Sequence, residues 1–108
     1  MNKTKLAVRI AEMPGVTAAA LISREGIPLQ VEGMSEDMAD TVAALASGMC
    51  ALAKRMNVAD GVRHVHVVLD GRDIVLLPAA SEAVLVVVRP GMSDESGVDA
   101  LRMAAAAL

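Results

Sequence analysis

Residues 38–56 read MADTVAALASGMCALAKRM, and this stretch decides how the chain is organised. Its apolar residues recur at helical spacing. Ser35 is a good N-cap, acidic residues follow it, and Lys54 and Arg55 fall in the last turn, so both ends suit the helix dipole. The pattern predicts a helix from Ser35 to about residue 57. This helix carries more apolar surface than one core contact needs.

At 100° per residue the predicted helix has separate faces. A bulky stripe is expected to lie on a sheet; its members are Met38, Val42, Leu45, Met49, Leu52 and Met56. A neighbouring stripe of small residues allows close approach by a second helix; its members are Ala39, Ala43, Ala46 and Cys50.

The opposite face is also small, where a solvated helix normally carries Glu, Lys and Gln. It holds Asp40, Ala44, Ser47, Gly48 and Ala51, with Asp37 and Arg55 at its ends. Gly48 costs about 1 kcal/mol relative to Ala inside a helix, and close approach by another protein would explain it. An alanine-rich composition without function is the alternative. Two small faces in so apolar a chain favour self-association, most simply as a twofold dimer.

The rest of the chain alternates short helices and strands. A helix is expected at 3–13, a hairpin with its connection at SREG (23–26), a second hairpin around DGRD (70–73), a buried strand AVLVVV (83–88) and a last helix after Ser93. Pro28 indicates an edge or bulged strand. The order α-β-β-α-β-β-β-α predicts an α+β sandwich, with a five-stranded, mainly antiparallel sheet and helices on its faces.

Composition limits the function classes. The 108 residues suit one domain, 1–108, and 55% are hydrophobic, with no Phe, Tyr or Trp. A net charge of -3 and the missing aromatic residues disfavour nucleic-acid binding. A single cysteine excludes an intrachain disulfide. The sequence shows no signal peptide and no apolar run long enough to span a membrane, so we expect no membrane insertion and a cytoplasmic location.

Candidate catalytic chemistry is weak. His64 and His66 share a strand face and could supply two metal ligands, but the sequence offers no identifiable third, so satisfied or interfacial histidines are favoured. Cys50 lies mid-helix, where a small buried cysteine usually packs. Asp70 and Asp73 are interpreted as turn residues. We therefore expect a binding module with no metal or cofactor, and not an enzyme.

The succession GVTAAALISREGIPLQ, the small-residue helix ending ALAKRM, and HVHVVLDGRDIVLLPAASEAVLVVV resembles the roadblock / dynein light chain family. The likeness covers about residues 4–106. It is strongest to short prokaryotic members of the gliding-motility type, which regulate a Ras-like GTPase. It implies a roadblock/profilin-like fold.

The resemblance also implies a homodimer in which the long helices lie antiparallel and the third strands join the two sheets. The small stripe Ala39, Ala43, Ala46 and Cys50 would then line the helix pair. Arg63, His64 and His66 would lie near the twofold axis.

In the family, the paired long helices form the platform on which a small GTPase docks. On this chain the corresponding residues are Asp40, Ala44, Ser47, Gly48, Ala51 and Arg55. The expected function is that of a homodimeric regulator or scaffold, which binds a Ras-like GTPase and modulates its GTP cycle. The chain would not be an enzyme itself; at most it would activate the GTPase by acting on that partner's own active site. The alternative is a structural adaptor in a larger signalling or motor-linked complex.

Overall fold

A computed structural model describes residues 6–56, 63–79 and 83–90, together with Leu101 and Met103. Two helices and five strands have defined bounds within these residues. They are α1 (Leu6–Ala11), β1 (Ala18–Ser23), β2 (Pro28–Glu32), α2 (Glu36–Arg55), β3 (Val65–Leu69), β4 (Arg72–Ala79) and β5 (Ala83–Pro90). Leu101 and Met103 are helical, and the other positions of the expected last helix lie outside the described residues.

The strands form one antiparallel sheet in the order β2-β1-β5-β4-β3. The apolar run of β5 lies at its centre, where residues 83–89 are all buried. The predicted fold class is therefore confirmed. Strand β2 lies at one edge, and the register of β1 with β2 shifts between Leu21 and Ile22 opposite Pro28. Both features that Pro28 indicated, an edge position and a bulge, are present.

The second hairpin turns more tightly than the sequence predicted. Asp70 and Gly71 alone form the turn, and Gly71 has a φ of 78° that glycine adopts without steric cost. Arg72 and Asp73 consequently pair with Leu69 and Val68 as strand residues. Asp73 is therefore not a turn residue, and its side chain is buried.

Helices cover the two faces of the sheet. Leu6 and Ile10 of α1, with Leu101, pack against inward side chains such as Leu85 on one face. Helix α2 packs on the other face, against residues that include Val86. Its N-terminus is capped as predicted, because the hydroxyl oxygen of Ser35 accepts a hydrogen bond of 3.1 Å from the Met38 N–H.

The predicted orientation of α2 is wrong. Of the bulky stripe, Val42 and Met49 are buried and Met38 is half-buried, whereas Leu45, Leu52 and Met56 are 39%, 52% and 65% exposed. The small stripe contacts the sheet instead: Ala39, Ala43 and Ala46 are buried and Cys50 is half-buried against the same cluster. The helix is thus rotated by about 80° from the expected position.

The physical reason lies in the sheet. Its α2 side is already filled by branched side chains such as Ile22, Ile74 and Val86. Alanines let the helix backbone come close to that surface, and close packing stabilises more than a gap spanned by long side chains. Ala39, Ala43 and Ala46 therefore offer almost no surface to a second chain.

Candidate protein interaction surfaces

The outer face of α2 carries the residues that the sequence assigned to partner binding. Asp40, Ala44, Gly48, Ala51 and Arg55 are exposed and Ser47 is half-buried. We call these six residues the docking face. Between Asp40 and Lys54 the helix carries no charged side chain. The structure thus brings the six residues together on one exposed, low-relief surface.

Two glycines define the shape of this face. A Cβ atom added at Gly48 would meet no atom within 4 Å, so nothing in the described fold requires a glycine there. Gly26, in the β1–β2 turn, lies close to the helix: a Cβ added to it would be 3.4 Å from the Ser47 Cβ. This turn accounts for the partial burial of Ser47 and marks the β2 side of α2.

A second exposed surface lies on the other side of the same helix. Leu45 and Leu52 project about 150° around the helix axis from Ser47, away from the β1–β2 turn at the β2 edge of the sheet. Val67 pairs with Ile74, a member of the core cluster beneath α2, so Val67 and Leu69 face the α2 side of the sheet. Leu69 is 46% exposed and Val67 is half-buried. We call Leu45, Leu52, Met56, Val67 and Leu69 the association surface.

Strand β3, which carries Val67 and Leu69, is the outermost strand on its side of the described sheet. This strand reads VHVVL, contains no proline, and pairs with β4 without a bulge. Edge strands that are not to pair with other chains usually carry proline, bulges or inward charges. Strand β2, at the other edge, has both proline and bulge. Of the two edges, β3 is the one suited to pairing with another strand.

The residues predicted to lie near a twofold axis are on or beside this edge. Arg63 is exposed just before β3, and His64 and His66 are half-buried. Among the described residues no strand lies beyond β3, so these three are on or beside an outer edge of the sheet. In contrast, the sheet already covers Ala39, Ala43 and Ala46.

A buried polar cluster extends inward from β3, and sequence reasoning missed it. The Arg89 guanidinium donates two hydrogen bonds to the Asp73 carboxylate, Nε to Oδ1 at 2.9 Å and Nη2 to Oδ2 at 2.7 Å. His66 Nε2 lies 2.6 Å from Asp73 Oδ2. Because an ionised carboxylate only accepts, the proton of this bond is on Nε2. Adjacent strands β3, β4 and β5 thus each contribute one residue.

Asp73 is the centre of this cluster and is fully buried, with Arg89 only 3% exposed. Burial by itself would raise the pKa of Asp73, but the hydrogen bonds and positive charge of Arg89, assisted by His66, outweigh it and hold that pKa below its usual value. The carboxylate is therefore ionised and engaged at both oxygens. A carboxylate held in this way is not available as a general base.

The signal for this cluster was present but was assigned to the wrong element. An Asp and an Arg within strands of otherwise apolar residues would have indicated a buried ion pair, had the turn been placed at Asp70 and Gly71. Among the described residues no group of three or more His, Cys, Asp or Glu side chains could hold a metal ion. None of the helices in the described part of the chain is long and apolar enough to cross a membrane.

The described residues form an α+β sandwich with an exposed helix face and an outer strand edge, and comparison with known proteins identifies its family. The chain belongs to the Roadblock/LC7 domain family, whose model matches residues 3–89. Members of this family are regulatory or adaptor proteins and not classical enzymes. No curated protein matches the chain in sequence.

Solved structures share the fold. A Roadblock/LC7 domain from Streptomyces avermitilis is 29% identical with a TM-score of 0.75, covering 97% of this chain and 89% of its own. MglB of Myxococcus xanthus is 18% identical with a TM-score of 0.71, covering 93% and 77% respectively. The gliding protein MglB of Thermus thermophilus is 22% identical with a TM-score of 0.68, covering 94% and 86%. The two MglB proteins are similar in fold alone.

Proposed function

We propose that this chain is a homodimeric regulator that binds a Ras-like small GTPase on the docking face of α2 and modulates its GTP cycle. The observation that carries the proposal is the exposed, small and uncharged centre of that face in a member of the Roadblock/LC7 family. A helix face that met only water would gain from long charged side chains at positions 44, 47, 48 and 51. Their absence suits a surface that another protein covers.

The dimer is proposed to form through the association surface and the edge of β3. Pairing β3 with its symmetry mate would satisfy the outer backbone groups of an unprotected edge. It would also let Leu45, Leu52 and Met56 of the two copies bury one another. Arg63, His64 and His66 keep their proposed place near the twofold axis, whereas the helix contact is reassigned from the small stripe to the exposed bulky residues.

This arrangement leaves the docking face free. Gly48 lies about 60° around the helix from Leu45 and Ala51 about 120°, so two paired helices would still present both positions outward. The proposed platform is thus built from two copies of the same small-residue surface. As the family resemblance implies, we expect any acceleration of hydrolysis to come from repositioning of the GTPase's own residues.

Binding is tested by affinity capture from the native cell lysate, with excess GDP and again with a non-hydrolysable GTP analogue. We expect a small GTPase that is retained only with the analogue. Gly48→Arg is expected to abolish that capture because it places bulk in the middle of the docking face. Val8→Arg is the matched control, since Val8 is 39% exposed on α1, across the sheet.

Turnover is then measured with the captured GTPase after purification. A changed rate of GTP hydrolysis or exchange supports a regulator. Equal capture with both nucleotides and an unchanged rate would refute regulation and identify the chain as an adaptor. Normal capture by Gly48→Arg would show that the partner binds elsewhere.

A further inference from the structure

His66 connects the edge of the sheet to its buried charges. Its strand, β3, is the edge proposed to pair with a second copy, whereas its Nε2–H bonds to Asp73 on β4, which Arg89 of β5 already neutralises. The His66 side chain is 9% exposed in the single chain. Solvent therefore still reaches the ring before association.

The protonation state of His66 sets the net charge of this cluster. With a neutral ring, one carboxylate balances one guanidinium. A second proton, on Nδ1, adds an uncompensated positive charge to a ring whose Nε2 lies 3.4 Å from Arg89 Nη2. Histidine is the side chain whose ordinary titration falls between pH 5 and 8.

Few other charged groups among the described residues share this environment. His64 lies directly before β3, two residues from His66, and the exposed Asp70 is in the turn that follows the strand. Arg63 is exposed before β3. Helix α1 packs chiefly on β1 and β2, so its Arg9, and Glu12 directly after the helix, are over a different part of the sheet. Leu101, from the helical residues on this face, is apolar.

We propose that His66 makes self-association through β3 pH-dependent, with the proton favouring separate chains. This rests on the proposed dimer. Pairing of β3 with its mate would remove the remaining water from the ring, and burial disfavours the charged form. Near a twofold axis, the two extra positive charges would also repel each other. The dimer therefore binds fewer protons than two separate chains, and linkage requires that its dissociation constant rise as pH falls.

The size of the effect follows from the proton count. Two histidines per dimer release at most two protons on association. The dissociation constant should then rise by roughly 10- to 100-fold between pH 8 and pH 5.5. Sedimentation equilibrium on the full chain measures it directly, with circular dichroism at each pH to show that the fold is retained.

Two matched variants test whether the pH dependence of dimerisation comes from His66. His66→Gln keeps an N–H donor for Asp73 but does not titrate, and is expected to dimerise with a dissociation constant that changes less than about threefold over the same range. His64→Gln, directly before the strand, is expected to keep the pH dependence. A second readout is the NMR titration of the His66 ring, whose midpoint should be lower in concentrated than in dilute protein.

The outcomes separate this inference from the proposed function. A stable dimer with a pH-independent dissociation constant, or a pH dependence lost in His64→Gln and kept in His66→Gln, would overturn the role of His66 and leave the dimer standing. A chain that is monomeric at pH 8 would overturn the proposed dimer, and this inference with it.

Discussion

Removing Arg89 should expose how much the buried cluster depends on balanced charge. Arg89→Met keeps most of the apolar stem but leaves the Asp73 carboxylate fully buried, with the His66 ring still donating to it. Breaking a buried ion pair in this way costs about 3–5 kcal/mol. In a domain of this size, about 4 kcal/mol corresponds to a fall in Tm on the order of 20 °C.

The double variant Asp73→Leu/Arg89→Met tests the reasoning. Replacing both charged groups by apolar side chains removes the desolvation penalty together with the attraction, so most of the lost stability should return. Urea unfolding at one fixed protein concentration measures the free energy of unfolding of each variant, because a dimer's stability depends on concentration. If the double variant were as unstable as the sum of its single variants, the charges would not be coupled and the interpretation would fail.

The same cluster should also make the stability of the folded chain depend on pH. The pKa of Asp73 is lowered in the folded chain, so its contribution to stability is fully present above the unfolded value of about 3.9 and is lost as pH falls through the lower folded value. Acid unfolding of the double variant should accordingly depend less steeply on pH below about 4. An unchanged acid profile would contradict the assignment.

Further predictions concern the surfaces and the turns. Gly48→Ala should raise the free energy of unfolding by about 1 kcal/mol while leaving self-association unchanged, since a Cβ there has open space; a loss of stability in urea would refute this. Leu52→Glu should raise the dissociation constant of the dimer at least tenfold, as measured by sedimentation, whereas Val8→Glu, also at an exposed apolar site, should not. Equal effects would refute the assignment of the association surface. Gly33→Ala should cost more than Gly71→Ala, because both have positive φ but only at Gly33 would the Cβ meet backbone, the Thr17 carbonyl oxygen at 2.8 Å. Chemical denaturation would show roughly 1–2 kcal/mol for Gly71 and more for Gly33, and the reverse order would contradict the steric account.

Local signals were sufficient for the fold. Ser35, Gly26 and Pro28 each mark a cap, a turn or an edge through their own backbone or side-chain chemistry, and the structure has those features. The central place of β5 follows from an uninterrupted apolar run that needs cover on both faces. Each of these features belongs to a single segment and can therefore be predicted from the local sequence.

The site was less predictable because it depends on registers between segments. The link between His66, Asp73 and Arg89 joins three strands, and a two-residue error in one turn hid it. The rotation of α2 has the same origin. Periodicity shows that a helix has several apolar faces, but the relief of the sheet beneath decides which one packs.

That rotation explains the surplus apolar surface of α2. The alanines are used inside the chain, where Ala43 and Ala46 let the helix approach a sheet already crowded with branched side chains. Leu45 and Leu52 then point away from the sheet and remain exposed to solvent. Full burial of each in a further contact would stabilise the protein by about 1.5–3 kcal/mol. Gly48, on the docking face, serves neither purpose within the described fold, because an added Cβ there has no neighbour. One helix thus carries three surfaces with different side-chain sizes. In the proposed function the alanines contact the sheet of the same chain, the association surface contacts a second copy, and the docking face contacts a GTPase.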